Sequence, residues 1–151
     1  MKITYALFAA LMLTCSIACS DDDNAEPTAQ MSDFEGSWIA TSMIITRNAN
    51  PDETMDIVAN GGEIRFTVLS DGRTRTWVEF GALSDEWDAQ GVINGNKITM
   101  TPAEQIRPVK TFSYRFEGDA LVLTNTDDIF DFTLTGTSPE PATSVGTFVR
   151  H

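Results

Sequence analysis

The side chains of this sequence that could do acid–base or metal chemistry are almost all carboxylates. Asp and Glu number 22 against 10 Lys and Arg, and the one histidine is the last residue, His151. Chain ends are usually poorly ordered, so a Ser–His or Cys–His nucleophile cannot be built around it. The carboxylates gather near two turns, where oxygen ligands could hold calcium: Asp85, Glu86 and Asp88 at the first, and Asp127, Asp128 and Asp131 at the second. Neither group has EF-hand spacing, and the pattern favours solvated acidic turns.

Other cofactor and substrate chemistry has no support in the sequence. There is no Gly-rich phosphate loop, Cys-x-x-Cys or His-x-x-x-His, so no metal, nucleotide or other cofactor is predicted. A paired-carboxylate hydrolase needs two inward acids, whereas the strand faces derived below are mostly apolar. The formal net charge of −12 disfavours nucleic acid and anionic lipid surfaces. We therefore expect a protein that is not an enzyme.

Cysteine chemistry is confined to the first residues. Lys2 precedes an apolar run, residues 3–18, which ends at Cys19. About 16 apolar residues are fewer than the ~20 that a spanning helix needs, so the run has the form of a cleaved signal peptide. Cleavage before Cys19 leaves no cysteine in the folded part, and hence no disulfide framework.

The residues Ser16-Ile17-Ala18-Cys19 resemble the lipobox of bacterial lipoproteins. Ser16 departs from the leucine usual there, and Cys15 is a competing site with a poorer residue before it. The resemblance implies a signal peptide over residues 1–18, lipidation of Cys19, attachment to the membrane through that lipid, and an outer membrane lipoprotein of the cell envelope.

An acidic run, residues 21–23, follows the cysteine. Like charges repel, which suits a solvated tether over residues 19–33. The run also resembles the export signal of Bacteroidetes surface lipoproteins, so the sequence leaves open whether the protein faces the periplasm or the exterior. The folded domain is predicted over residues 34–151.

The domain alternates apolar and polar residues with period 2, broken by turn signals, which predicts an antiparallel all-β fold. The predicted strands span residues 37–47, 63–69, 73–80, 86–93, 97–101, 111–117, 120–125, 128–135 and 145–150, with a short strand near 55–58 also considered. Nine or so strands in a meander leave two edges, which closure into a barrel of about eight strands removes. A sandwich is the alternative.

Three turns predict the register of their hairpins. Asn94-Gly95 pairs Gly91 with Ile98, Gly118-Asp119 pairs Tyr114 with Leu123, and Ser70-Asp71-Gly72 pairs Leu69 with Arg73. Each register collects apolar residues on one face, and the third sends Trp77 outward.

Gly36-Ser37-Trp38 opens the first strand and is similar to the Gly-x-Trp motif of lipocalins. In that family the Trp closes the narrow end of the barrel and a basic residue of the last strand packs over it. The resemblance implies barrel-closing roles for Trp38 and Arg150, with Arg115 as second choice. The second family motif has only a weak echo in Thr126-Asp127-Asp128. The chain looks most like the lipocalin-like lipoproteins common in Bacteroidetes.

Two functions of different class follow. The first is a monomeric, membrane-anchored barrel that binds a small hydrophobic molecule, with room provided by Ala40, Ser42, Ala89 and Gly91 and a lining of Phe66, Phe80, Trp87, Phe112, Tyr114 and Phe132. The second is a packed barrel that binds or inhibits another protein through its loops, residues 48–61 and 102–110, and its outer face at Trp77.

Overall fold

The structure, a computed structural model, describes residues 29–134 and 137–151. The predicted signal peptide, Cys19 and the tether up to residue 28 lie outside the described residues. Nine strands make up most of the described chain: β1 Gly36–Arg47, β2 Asn50–Asp56, β3 Glu63–Val68, β4 Arg73–Phe80, β5 Leu83–Asn94, β6 Lys97–Pro102, β7 Lys110–Glu117, β8 Ala120–Phe130 and β9 Glu140–Arg150. A single 3-10 turn, Met31–Asp33, precedes them.

Among the described residues, no helix has the length and apolar character required to cross a bilayer.

The nine strands form one antiparallel sheet that closes on itself. Strands adjacent in the chain pair with each other, except that β3 pairs with β1 and leaves β2 beside it. β1 also pairs with β9, from Trp38 opposite Arg150 to Arg47 opposite Ala142. This pairing closes β1 and β3–β9 into an eight-stranded barrel, and β2 is an extra strand along the end of β1. The predicted closed antiparallel barrel is confirmed, and the pairing of β1 with β9 excludes the sandwich.

Two of the three hairpin registers are confirmed. In the β3–β4 turn, Leu69 N–H donates to Arg73 O over 2.8 Å, and Gly72 has a φ of +80°, which glycine adopts without steric cost. In the β7–β8 hairpin, Tyr114 lies opposite Leu123. Apolar side chains that share a face in these hairpins therefore point into the barrel together.

The β5–β6 register differs from the prediction by two residues. The turn is Gly95-Asn96 rather than Asn94-Gly95, so Ile93 faces Ile98 and Gly91 faces Met100. An even shift keeps every side chain on its predicted face because the side-chain period of a strand is 2. The inward assignment of Trp87 and Ala89 is unaffected.

Two β-bulges change which side chains point into the barrel. One extra residue in a strand moves the side chains that follow it to the opposite face of the sheet. The register of β1 shifts between Ala40 and Ser42, and Ser42 lies opposite Thr147, on the outer face. The prediction that Ser42 faces inward was therefore wrong. The register of β8 shifts between Asn125 and Asp128, so the two strands predicted at 120–125 and 128–135 are one bulged strand that ends at Phe130.

The aromatic part of the main core lies in the half of the barrel where β1 begins, and its aliphatic part continues to Ala142, near the end of β1. Trp38 and Phe148 are 1% and 2% exposed, and Phe66 stacks on Trp38 at 6.1 Å and meets Phe148 edge-on at 4.9 Å between ring centroids. Phe34 is also buried, and its ring lies 5.0 Å from that of Tyr114. Ring contacts therefore join β1, β3 and β9 at this level, and a second contact joins Phe34 to β7.

Part of the predicted tether belongs to the barrel. Ala29 and Met31 pack against the core, and the 3-10 turn at Met31–Asp33 leads directly into the buried Phe34. The folded unit therefore begins at least as early as Ala29, not at residue 34. The acidic and polar composition of residues 19–33 concealed these apolar contacts.

Candidate functional site

The two ends of the barrel differ. One end, which we call the closed end, carries the tight β3–β4, β5–β6 and β7–β8 turns and the segment from Ala29 to Glu35. The other, the open end, carries the longer β6–β7 connection, residues 103–109, and the β8–β9 connection, residues 131–139. Long connections carry functional residues more often than tight hairpins do, so a functional site is expected at the open end.

At the closed end, the side chain of Trp38 contacts three residues: Phe34, Arg150 and, as described above, Phe66. Its indole Nε1–H donates to Phe34 O over 2.7 Å, and the Arg150 guanidinium lies 4.5 Å over its ring centroid. Arg150 also donates to the carbonyl oxygens of Asp33 and Glu35. One arginine thus ties the last strand to the N-terminal segment across the indole, in the contact that the lipocalin resemblance implies. Arg115, the second choice, instead pairs with Glu117.

The six residues predicted to line a ligand cavity do not form one lining. Phe66 is packed in the core, and Tyr114 lies against Phe34 with its hydroxyl donating to Gly95 O over 2.8 Å. The hydroxyl is therefore engaged by a backbone carbonyl at the closed end, rather than available to orient a polar head group.

The other four predicted residues remain partly accessible. Phe80, Trp87 and Phe112 occupy inward strand positions without being fully buried. Phe132 lies beyond the end of β8, with its ring 5.2 Å from that of Phe130. The alternation that placed it in a strand was wrong from this point, because the chain leaves the sheet and Leu134 is exposed with a φ of +57°.

Charged side chains occupy inward positions at the open end, which the sequence prediction missed. Each of them lies directly across from a residue whose side chain faces into the barrel. Arg47 and Asp128 both lie opposite Ala142, Lys110 lies opposite Met100, Asp85 lies opposite Val78, and Glu140 lies opposite Phe130. We call these five residues, with the ion-pair partners Glu53, Glu104 and Arg107, the charged collar. The sequence did contain a signal for two of them. Asp85 precedes Trp87 by two residues and Lys110 precedes Phe112 by two, so each shares a strand face with an inward aromatic residue.

Arg107 joins the β6–β7 connection to the wall of the barrel. Its guanidinium donates to both carboxylate oxygens of Asp85, each over 2.8 Å, and to Glu104 over 3.1 Å. It also lies 5.0 Å over the ring of Trp87, a favourable cation–π distance. The hydrogen bonds from Arg107 hold the pKa of Asp85 below its usual value, although burial opposes the shift. The same bonds raise the pKa of Arg107.

The other two collar cations are held in the same manner. Arg47 pairs with Glu53 at 2.5 Å and with Glu140 at 3.2 Å, and lies 4.7 Å over the ring of Phe132. Lys110 pairs with Asp128 at 2.5 Å. Two of the three collar cations therefore lie over aromatic rings, which gives the open end both apolar surface and fixed charge.

The two predicted acidic turns are not metal sites in the described residues, where no group of three or more His, Cys, Asp or Glu side chains could hold an ion. Asp85 points inward to Arg107, whereas Asp88 on the outer face pairs with Arg75. In the second group, Asp128 pairs with Lys110, and Asp131 accepts hydrogen bonds from its own loop at Thr133 and Thr137.

Two shallow depressions lie beside the N-terminal segment. One, of about 490 Å³, is bordered by Asp33, Trp38 and Arg150, and the other, of about 440 Å³, by Met31 and Ile93. Neither includes any of the six predicted ligand-binding residues.

Comparisons of the chain with family models, with curated proteins and with solved structures found no match. A function for this chain is therefore inferred from its residues and its geometry.

Proposed function

We propose that this protein is a membrane-anchored, lipocalin-like binding protein, whose barrel accepts a small apolar molecule, or the apolar part of a larger one, through its open end. The observation that carries the proposal is the contrast between the two halves of the interior. Trp38, Phe66 and Phe148 at the closed end are at most 9% exposed. Phe80, Trp87 and Phe112 also face inward but keep part of their surface accessible.

The packing of the main core supports the same reading. Ala89 and Ile98 are buried at inward positions of β5 and β6, yet neither belongs to the main core cluster. The inner face around Ala89 and Ile98 is thus set apart from the filled half of the barrel, although Ile93 of β5 does pack against that cluster. Apolar surface that faces inward and stays accessible is what a binding site for an apolar group requires.

The first test concerns the membrane anchor, which rests on the lipobox resemblance. In a bacterial host that processes lipoproteins, the mature protein should begin at an acylated Cys19, because residues 16–18 precede the predicted cut and Cys19 follows it. Mass spectrometry of the N-terminal peptide measures this directly. The Cys19→Ser variant should lose its association with membranes, whereas the matched Cys15→Ser variant should keep it. The reverse result would move the lipid to Cys15, and an unmodified product would end this part of the proposal.

The second test concerns ligand entry. A neutral apolar probe, N-phenylnaphthylamine, should bind and quench tryptophan emission, since Trp87 faces the accessible half. Trp87→Ala and Phe112→Ala should each weaken binding about tenfold, or ~1.4 kcal/mol, because each removes apolar contact area. Trp77→Ala is the control, since Trp77 lies on the outer face beneath Arg65, 5.4 Å from its guanidinium. Equal loss for Trp77→Ala would contradict an interior site.

A protein-interaction module is the second candidate, and exposed aliphatic residues at the open end favour it. Ile106 in the β6–β7 connection is 89% exposed, and Leu83, Val109, Ile129 and Leu134 are more than half exposed. Together they ring the end that carries the charged collar, and single exposed aliphatic residues become an anchor when a partner buries them together. In this case the apolar probe should not bind, and Ile106→Ser should weaken capture of the partner.

A further inference from the structure

The collar at the open end carries more acid than base. Its ion pairs join five carboxylates, those of Glu53, Asp85, Glu104, Asp128 and Glu140, to three cations, those of Arg47, Arg107 and Lys110. The formal charge of the collar is therefore −2. Five of these eight residues occupy inward strand positions, three acids and two bases, so an excess of one negative charge lies around the passage that a ligand would take.

The cations are not free to receive an anionic ligand. Arg47 and Arg107 each hold two carboxylates, and Lys110 holds Asp128, whose side chain is 14% exposed. A ligand carboxylate would approach cations whose charge these carboxylates already offset, so it would add to the excess of acid rather than neutralise an unpaired cation. It would do so in a partly buried setting, where charges are screened less than on open surface.

A neutral or cationic head group meets no such cost. A hydroxyl can accept from an arginine N–H that its carboxylate partners leave open, and an ammonium group is attracted by the excess acid. The rings of Trp87 and Phe132 lie beneath Arg107 and Arg47 at 5.0 and 4.7 Å, so the aromatic surface is continuous with the charged groups.

We infer that the ligand is a neutral or cationic amphiphile and not a fatty acid or other carboxylate, with the collar as the determinant of this selectivity. The inference rests on the proposed function, that an apolar group enters the open end. The competing role for the collar is mechanical, in which its ion pairs only brace the strands. A brace would not discriminate between ligands of equal length that differ in charge.

The test is displacement of N-phenylnaphthylamine from the mature protein by three decyl compounds of equal chain length: decanol, decylammonium and decanoate, all below their micellar range. Decanoate should bind at least tenfold more weakly than decanol, and decylammonium at least as tightly as decanol. Raising the salt concentration should reduce the difference in affinity between decanoate and decanol and that between decylammonium and decanol, since the effect is electrostatic.

A pair of variants separates the collar from the charge of the whole protein. Glu140→Gln removes one collar carboxylate, and we expect the affinity for decanoate to rise about fivefold more than the affinity for decanol. Glu117→Gln removes the same charge at the closed end, where Glu117 pairs with Arg115, and should change neither.

The other possible outcomes would overturn either the selectivity of the collar or the binding function itself. Decanoate that binds as tightly as decanol, or equal gains in the two variants, would overturn the collar's selectivity and leave the binding function standing. Absence of probe binding to the wild-type protein would overturn the proposed function and this inference together.

Discussion

Replacing Trp38 with alanine is expected to lower the free energy of unfolding by about 3 to 5 kcal/mol, the usual range for a buried Trp or Phe. Trp38 is 1% exposed, and its neighbours cannot collapse into the space, because Phe66 and Phe34 are themselves fixed by other rings. The change also leaves Phe34 O without the indole donor at 2.7 Å. Urea unfolding followed by far-UV circular dichroism measures the loss without depending on the missing fluorophore.

Two further variants test whether the loss of stability is specific to the buried position of Trp38. Trp38→Phe keeps most of the ring volume and removes the hydrogen bond, so a loss of about 1 to 2 kcal/mol is expected. Trp77→Ala removes the same side chain from the outer face, where only Arg65 lies over it, and should cost less than Trp38→Ala. If the two alanine variants lost equal stability, Trp38 would not have the central place in the core that its burial indicates.

Replacing Asp56 with alanine is expected to cost about 2 kcal/mol near neutral pH, since hydrogen bonds to a charged group are worth more than neutral ones. The Asp56 carboxylate accepts from Met43 N at 3.2 Å, from Val58 N at 3.0 Å and from Ala59 N at 3.2 Å. Ser42 Oγ donates to it as well, at 3.0 Å. These bonds hold the β2–β3 connection against β1, where Ile57 is buried.

The loss should depend on pH. Burial alone would raise the pKa of Asp56, but the hydrogen bonds from Met43, Ala59, Ser42 and Val58 outweigh it, and the pKa in the folded protein is lowered. A carboxyl whose pKa is lower in the folded state stabilises fully above its unfolded pKa, about 4, and loses this contribution as the pH falls through the folded pKa. The difference between wild type and Asp56→Ala should therefore shrink below about pH 4.

Asp52→Ala is the matched control, because Asp52 lies on the same strand but is exposed. It should change stability by less than ~0.5 kcal/mol at every pH. A pH-independent difference between wild type and Asp56→Ala would show that the carboxylate does not act through its charge.

The fold was predictable because its signals are local. A hairpin turn and a period of 2 lie within a few residues, so Gly118-Asp119 alone was enough to pair Tyr114 with Leu123. Even the error at Asn94-Gly95 was harmless, since a shift of two residues keeps each side chain on its face.

The bulges were not predictable in the same way. Nothing in the residues around Thr41 or Asn125 distinguishes a bulge from a regular strand, because a bulge is set by the strands that pair on either side. Its consequences are large: Ser42 turns outward to Asp56, and Asp128 turns inward to Lys110. The ligand lining derived from simple alternation was incomplete for this reason.

By itself, the sequence determined most of the strands and, outside the two bulges, the face that each presents, because turn chemistry and side-chain alternation act over short distances. The resemblance of Gly36-Ser37-Trp38 to the lipocalin motif implied that Trp38 would be covered by a basic residue, with Arg150 as first choice and Arg115 as second. The tertiary structure alone decided that β1 pairs with β9 and closes the barrel, that residues 29–35 pack onto one end, and that eight charged residues from seven parts of the chain form a collar at the other. The ion pair of Arg47 with Glu140 joins residues far apart in sequence, and only the pairing of β1 with β9 brings them within reach.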